Sequence, residues 1–198
     1  MNCFGVHQAH AGSLNDWLAG AELMLEVGAG AAAVSLAYAR AHPSHQVVAL
    51  DLKSDRLGKA ARIAEKEGLQ NIAFIQSDLR TLHELADLNG KVDTLWVTFP
   101  DPYPKDRGEK HRLTNPEMQA IYKELLKSDG TWRFKTDNEP LFDYSLEAIE
   151  QARIFTITQQ TRDLHNSDIT DEVALTKTRY EERFLNMGIS TKYLEATI

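Results

Sequence analysis

The sequence lacks most of the patterns that mark secreted, membrane-spanning or metal-dependent proteins. Its 198 residues include one cysteine, Cys3, which excludes an intrachain disulfide framework. No apolar run is long enough to cross a bilayer, and residues 1–20 carry neither the basic start nor the apolar segment of a secretory signal. The seven histidines do not have the spacing of metal ligands. These absences predict a cytoplasmic protein that uses no metal and contacts no membrane.

Positive charge is also scarce, with 22 Lys and Arg against 29 Asp and Glu and a formal net charge of −7. Nucleic-acid binding depends on Lys and Arg side chains that meet phosphates, so the whole-chain charge argues against a polyanionic partner. One basic cluster departs from this background, formed by Lys105, Arg107, Lys110, His111 and Arg112. From charge alone, a solvated surface loop is the favoured interpretation of this cluster.

Short apolar runs alternate with helical patterns along the whole chain, without an internal repeat or a linker. This predicts a single domain over 1–198 with a short N-terminal arm at 1–22. Strands are predicted at 24–27, 47–50, 72–75, 94–99, 131–135, 155–158 and 191–196. Helices are predicted at 31–40, 54–67, 81–88, 114–127, 138–151 and 178–187. Strands that alternate with helices predict an α/β fold with a Rossmann-like, doubly wound and mostly parallel sheet.

Several turn and cap residues set the predicted boundaries. Ser54 or Asp55 is a candidate N-cap for the second helix, and Thr114 has capping-box spacing to Glu117. Asp129-Gly130 is expected to form a turn before the fifth strand.

The first strand ends in a Gly-x-Gly turn that contains Glu26, Gly28 and Gly30. Glycine lets the backbone approach a ligand closely, but Rossmann dehydrogenases share this turn. They have a third glycine that helps to seat a pyrophosphate, whereas alanines follow here at 31–33. The Glu26 carboxylate would repel a pyrophosphate and instead suits the cationic amino group of S-adenosylmethionine, directly or through water.

Two further acidic residues follow the next two strands. Asp51 is placed to accept hydrogen bonds from a ribose diol, and Asp78 to hold an adenine amino group. Each could equally be a helix cap or a turn former. Three acidic residues at three successive strand ends nevertheless favour a nucleoside-binding crevice.

The fourth strand runs into Phe99-Pro100-Asp101-Pro102-Tyr103-Pro104-Lys105, which we call the reaction loop. Basic residues and Arg112-Leu113-Thr114 follow it, and later come Thr136-Asp137-Asn138-Glu139 and Thr178-Arg179-Tyr180-Glu181. With these motifs in this order, the sequence resembles the bacterial tRNA (guanine-N(7)-)-methyltransferases from about Leu25 to the C-terminus.

The resemblance implies a sheet of the class I S-adenosylmethionine-dependent methyltransferase type and a product with 7-methylguanosine at position 46 of the tRNA variable loop. It implies that cofactor contacts are made by Glu26, Gly28, Gly30, Asp51, Asp78 and Asp101. Asp101 is implied as the catalytic residue. Substrate contacts are implied for Lys105, Asp137, Thr178, Arg179, Tyr180 and Glu181.

The chain departs from the family pattern at several places. Tyr103 stands where tryptophan is usual, Asp51 stands where many members have glutamate, and Ala31-Ala32 replaces a common Lys-Gly. The loop that carries the basic cluster also contains Asp106 and Glu109, which reduce its positive charge.

Nitrogen 7 of guanine has a free in-plane lone pair, so its methylation needs no general base. Positioning should supply most of the rate, and Asp101 or Asp137 could stabilise the positive charge that develops on the base. Tyr103 or Tyr180 could stack on that base.

Three alternatives stay open at this point. They are a methyltransferase with a small-molecule or protein acceptor, a catalytically weak tRNA-binding homologue, and a nicotinamide-binding protein. The sequence does not indicate an oligomeric state.

Overall fold

The computed structural model describes residues 2–4, 17–18, 20–78, 80 and 88–198. Within these residues one sheet contains the strands β1 (Asn2–Phe4), β2 (Leu23–Val27), β3 (Gln46–Asp51), β4 (Ile72–Gln76), β5 (Val92–Thr98), β6 (Leu126–Thr136), β7 (Thr156–Thr161) and β8 (Lys192–Thr197). Their spatial order is β1-β4-β3-β2-β5-β6-β8-β7. The five strands from β4 to β6 in this order are parallel, whereas β1, at one edge, and β8, near the other, pair antiparallel with their neighbours. The predicted mostly parallel, doubly wound sheet is therefore confirmed.

Helices cover both faces of the sheet, as the alternating pattern predicts. They are α1 (Ala33–Ala41), α2 (Ser54–Glu67), α3 (Pro116–Leu125), α4 (Glu139–Ala152) and α5 (Arg179–Leu185). Apolar residues of α1 and α2 pack in one buried cluster with β3 and β4, and those of α3 and α4 pack in a second cluster with β5 and β6. Strand order reverses between β2 and β5, and this reversal opens a crevice at the carboxyl ends of these strands.

Two predicted caps are wrong by one residue. The N-cap of α2 is Lys53, in an extended conformation and without a side-chain cap, rather than Ser54 or Asp55. The N-cap of α3 is Asn115, whose side chain accepts a hydrogen bond from the amide of Met118, rather than Thr114. An asparagine cap satisfies the helix as well as a threonine does, so spacing alone could not separate neighbouring candidates.

The predicted turn at Asp129-Gly130 lies inside β6. The pairing of β5 with β6 changes register there, between the pairs Val92–Leu126 and Thr94–Thr131. The strand continues on both sides of this irregularity in the pairing. The predicted helix at 81–88 falls almost wholly outside the described residues, as does most of the predicted arm at 1–22.

Candidate active site

A cavity of about 240 Å³ opens at the carboxyl ends of β2, β3, β4 and β5. Five of the six implied cofactor contacts line it, namely Gly28, Gly30, Asp51, Asp78 and Asp101. The cavity is also lined by residues that the sequence did not single out, among them Leu52, Lys53, Arg56, Arg80 and Met118. We call the side formed by Gly28, Gly30, Asp51 and Asp78 the strand-end wall.

The glycine turn between β2 and α1 needs left-handed backbone at three positions. Gly28 has φ 69° and Gly30 has φ 54°, and Ala32 also has a positive φ of 52°. A Cβ on Gly28 would lie 3.1 Å from Cδ1 of Leu113, so a side chain there would crowd Leu113, which also lines the cavity. Ala32 shows that the turn keeps this conformation without a third glycine, at the cost of about 1 kcal/mol of backbone strain.

Glu26 lies beneath the cavity rather than on its wall. Its side chain is buried, with 1% exposure, and accepts hydrogen bonds from the amide and hydroxyl of Ser35 and from the hydroxyl of Thr98. Burial raises the pKa of this carboxyl, and the hydrogen bonds from Ser35 and Thr98 oppose that rise. Both carboxylate oxygens thus hold the start of α1 against β5, and a cofactor contact by Glu26, direct or through water, stays a prediction.

Asp51 and Asp78 each bind the backbone directly after a strand. Asp51 accepts a hydrogen bond from the amide of Gly30 at 2.8 Å and another from the amide of Lys53 at 2.7 Å. Asp78 accepts from the amide and guanidinium of Arg80, and these hydrogen bonds hold the pKa of Asp78 below its usual range. Asp51 thus joins the glycine turn to the end of β3, and Arg80 adds a cation that the sequence analysis missed, although it stands only two residues after Asp78.

The reaction loop bends sharply on both sides of Asp101. Phe99 has φ 46° and Tyr103 has φ 41°, both in the left-handed region that non-glycine residues rarely adopt. Asp101 is exposed and lines the cavity, and Lys105 is exposed beyond it. Backbone strain of this kind is concentrated at functional sites, where it fixes a side chain in place.

A second group of predicted residues borders the reaction loop from the side of α5. The ring of Tyr180 lies 5.6 Å from that of Phe99, and the charge of Asp137 acts on its phenol. Partial burial and the charges of Asp137 and Asp101 raise the pKa of Tyr180, so its phenol is neutral at physiological pH. Tyr180 is still 50% exposed, which leaves ring surface for a ligand. We call Asp137, Thr178 and Tyr180 the helix wall.

Glu181, the residue after Tyr180, has no exposed surface. Its side chain is fully buried, and its oxygens are bound by Lys135, His165, Thr191 and the amide of Thr178. Thr178 completes the capping box by accepting a hydrogen bond from the amide of Glu181. The capping box and the buried ion pair use the carboxylate of Glu181, and its implied substrate contact stays a prediction. Arg179, the next position of the motif, is exposed.

Lys135 is a buried residue that sequence reasoning missed. Its ammonium group donates hydrogen bonds to the carbonyls of Ala174 and Thr176 and to Glu181, and the side chain is fully buried. Burial lowers the pKa of Lys135, and the charge of Glu181 opposes that effect. The only sequence signal was a lysine at an inward position of a central strand, next to Thr136-Asp137.

The described residues contain no group of three or more His, Cys, Asp or Glu side chains arranged to hold a metal ion. Among the same residues, no helix is both long and apolar enough to span a membrane.

Comparison with known proteins adds a family to this geometry. A family described as "Putative methyltransferase" matches residues 20–194. A tRNA (guanine-N(7)-)-methyltransferase from Cytophaga hutchinsonii is 36% identical over 174 residues, which cover 87% of this chain and 78% of that protein. A protein of the same name from Mesomycoplasma hyopneumoniae is 35% identical over 173 residues, covering 87% of this chain and 84% of its own length.

Among solved structures, the 16S rRNA methyltransferase KamB superposes with a TM-score of 0.71 at 20% sequence identity. The match covers 92% of this chain and 91% of that one. At this identity the likeness concerns the fold alone, and it confirms the class I methyltransferase sheet that the sequence predicts.

Proposed function

The chain belongs to the tRNA (guanine-N(7)-)-methyltransferase family, and on that premise we propose that it transfers a methyl group from S-adenosylmethionine to nitrogen 7 of a guanine in tRNA. We further propose that the target is the guanine at position 46 of the variable loop and that the reaction takes place in the cytoplasm. One observation supports this most strongly: Asp51, Asp78 and Asp101 line one cavity, and the ring of Tyr180 contacts Phe99 of the reaction loop that carries Asp101.

The strand-end wall fits S-adenosylmethionine. Gly28 lacks a side chain where a Cβ would come within 3.1 Å of Cδ1 of Leu113, so the glycine turn and Leu113 approach closely at this border of the cavity. We assign Asp51 to the ribose hydroxyls and Asp78 to the adenine amino group, and Leu52 beside them offers an exposed apolar surface. When bound, the cofactor supplies a methyl group on a positively charged sulfur.

Glu26 contributes to this wall from below. By binding Ser35 and Thr98 it fixes the start of α1 relative to β5, and the backbone of Gly28 and Gly30 is held between them. The role that we propose for Glu26 is therefore to order the glycine turn.

The helix wall and the reaction loop are suited to hold the guanine. Methylation of nitrogen 7 leaves positive charge on the base, and the carboxylates of Asp101 and Asp137 would stabilise that charge. They would also accept hydrogen bonds from the N–H groups of the base. No residue has to remove a proton, so the chain's task is to orient the nucleophile in line with the methyl group.

Tyr180 offers the base a flat surface, since it is half exposed while its ring contacts Phe99 and Phe184. Reaching a base inside folded tRNA requires displacing it from its tertiary contacts, and stacking on an aromatic ring helps to offset that cost. Thr178 begins the helix that carries this ring, and Lys105 and Arg179 are the exposed cations that we assign to the phosphate backbone.

Methyl transfer to unmodified tRNA tests the proposal directly. We expect purified protein to form 7-methylguanosine, detected by mass spectrometry of nucleosides, on tRNA with guanine at position 46. The matched substrate carries adenine at that position. Equal methylation of both tRNAs would reject the position, and methylation of neither would reject the function.

The Asp101→Asn variant tests the role of the reaction loop. Because the change removes the charge but keeps the shape, we expect kcat to fall by about 100-fold or more while the thermal unfolding temperature stays the same. Asp129→Asn, at an exposed position of β6 away from the cavity, is the matched control and should keep full activity. Normal turnover by Asp101→Asn would remove Asp101 from the reaction.

A further inference from the structure

Arg112 belongs to the basic cluster by sequence, but its side chain points back into the protein. Its Nε lies 3.2 Å from the carbonyl oxygen of Pro102, and its Nη2 donates a hydrogen bond to the carbonyl oxygen of Tyr103 at 3.0 Å. These two carbonyls directly follow Asp101 in the reaction loop. The guanidinium therefore holds the reaction loop at Tyr103, where the backbone is left-handed. We call these contacts of Arg112 with the two carbonyls the clasp.

The edge of the guanidinium binds the two carbonyls, and one of its faces is also occupied. It lies over the ring of Tyr144 in α4, with 4.2 Å between the guanidinium carbon and the ring centroid. Burial and the nearby charge of Glu109 raise the pKa of Tyr144 to about 12, so the ring is neutral at physiological pH. A stacked, partly desolvated guanidinium gains cation–π stabilisation of about 1 kcal/mol, and stacking fixes its plane.

The two residues after Arg112 extend this attachment to the rest of the site. Leu113 lines the cavity opposite Gly28, and its carbonyl accepts a hydrogen bond from the hydroxyl of Tyr122 at 2.6 Å. Thr114 is fully buried, with its Oγ1 2.8 Å from Oγ of Ser145 in α4. The Arg112-Leu113-Thr114 segment thus connects the reaction loop, the glycine turn and two helices.

We propose that Arg112 is a positioning residue that holds Asp101 in place through the carbonyls of Pro102 and Tyr103, and that it does not bind a tRNA phosphate. This inference rests on the proposed function, because it assigns Arg112 to the reaction of that site. Within the basic cluster, the phosphate contacts then fall to the exposed side chains Lys105 and Arg107, in addition to Arg179 of α5.

The geometry requires arginine rather than any cation. The planar fork presents Nε and Nη2 to two successive carbonyls while its face rests on Tyr144, whereas a lysine ammonium would serve as a single point charge. A phosphate contact, in contrast, depends mainly on positive charge and would largely survive a change to lysine. Arg112→Lys therefore separates the two roles.

The experiment compares Arg112→Lys with Lys105→Ala, with Arg62→Lys as the control at an exposed position of α2. We expect Arg112→Lys to lower kcat by about 10- to 100-fold, because small displacements of a catalytic group have effects of this size. Its tRNA affinity should keep the wild-type dependence on salt. Lys105→Ala should instead reduce the slope of log affinity against log salt concentration by about 1.

A wild-type kcat for Arg112→Lys would overturn the proposal. The Arg112→Ala variant supplies the charge test, and a reduction of its salt slope by about 1, with kcat unchanged, would assign Arg112 to a phosphate instead. Arg62→Lys should match wild type in every measurement.

Amide hydrogen exchange gives a readout that does not need tRNA. Loss of the clasp in Arg112→Lys should speed exchange in residues 101–111 and leave α2 unchanged, even if the wild-type protein proves inactive on tRNA. Tyr144→Leu should act in the same direction by removing the stack, whereas Tyr144→Phe should behave as wild type. Unchanged exchange in folded Arg112→Lys and Tyr144→Leu would reject the clasp independently of the function.

Discussion

The strand-end wall and the helix wall are held by different kinds of interaction. On the strand-end wall, Asp51 and Asp78 bind the amides of Lys53 and Arg80, each two residues away, and Asp51 also binds the amide of Gly30 in the neighbouring glycine turn. The helix wall depends on the buried pair of Lys135 and Glu181, which lie 46 residues apart. The first wall is therefore set by the parallel sheet itself, whereas the second should fail when a distant contact is lost.

Lys135→Met should show the largest difference between the two walls. It leaves the buried Glu181 carboxylate without its cation, so we expect a loss of about 3 kcal/mol in the free energy of unfolding. At temperatures where the variant is folded, kcat/KM for tRNA should fall at least tenfold while the dissociation constant of S-adenosylmethionine stays near wild type. Denaturant unfolding, tRNA kinetics and cofactor titration measure the three quantities.

The double variant Lys135→Met/Glu181→Met separates stability from position. Removing both charges avoids the unpaired carboxylate and should recover part of the stability. The activity should stay low, because α5 has lost its capping box and its anchor. If Lys135→Met weakens cofactor and tRNA binding equally, the two walls are not independent.

Asp51→Asn should affect only the strand-end wall. An amide oxygen can still accept a hydrogen bond from Gly30 or from Lys53, but the second amide then faces an NH₂ group. Hydrogen bonds to a charged acceptor are worth about 1.5–3 kcal/mol, so we expect cofactor affinity to fall about tenfold or more. Calorimetric titration should show unchanged tRNA affinity in the absence of cofactor, and a parallel loss of tRNA affinity would contradict the separation.

Glu26→Gln should produce the smallest effect, visible as a change with pH. Burial raises the pKa of Glu26 in the folded state above its value in the unfolded chain, so the wild type loses stability as pH rises from the unfolded pKa through the folded one. The glutamine variant has no such loss. Its free energy of unfolding relative to wild type should therefore increase from pH 4 to pH 8. A difference independent of pH would mean that Glu26 does not titrate in this range.

The strand-end wall was predictable from sequence because it follows local rules. An apolar run, a Gly-x-Gly turn and an acidic residue at each strand end are enough to place Gly28, Asp51 and Asp78 at one edge of a parallel sheet. The resemblance to a family added Asp101 and Asp137. In the structure, the charges of both carboxylates act on Tyr180.

What the sequence missed depends on burial and on long-range pairing. Glu26 and Glu181 have the residue type of ligand-binding groups, but both are buried and bound by the protein itself. Lys135 and Arg112 looked like an ordinary strand lysine and a surface cation until their partners were known. The role of Lys135 depends on contacts with residues far away in the sequence, and that of Arg112 depends on the direction of its side chain. The spacing of residues in the sequence predicts neither.

The left-handed alanine at position 32 has a consequence for how such chains are found in genomes. Its methyl group is fully buried in the core on the α1 side, and that packing offsets the backbone strain. Alanine and glycine codons differ by a single base, so this turn can exchange the two residues during evolution without changing its path. A search pattern that requires glycine at this position would miss proteins that form the same turn with alanine.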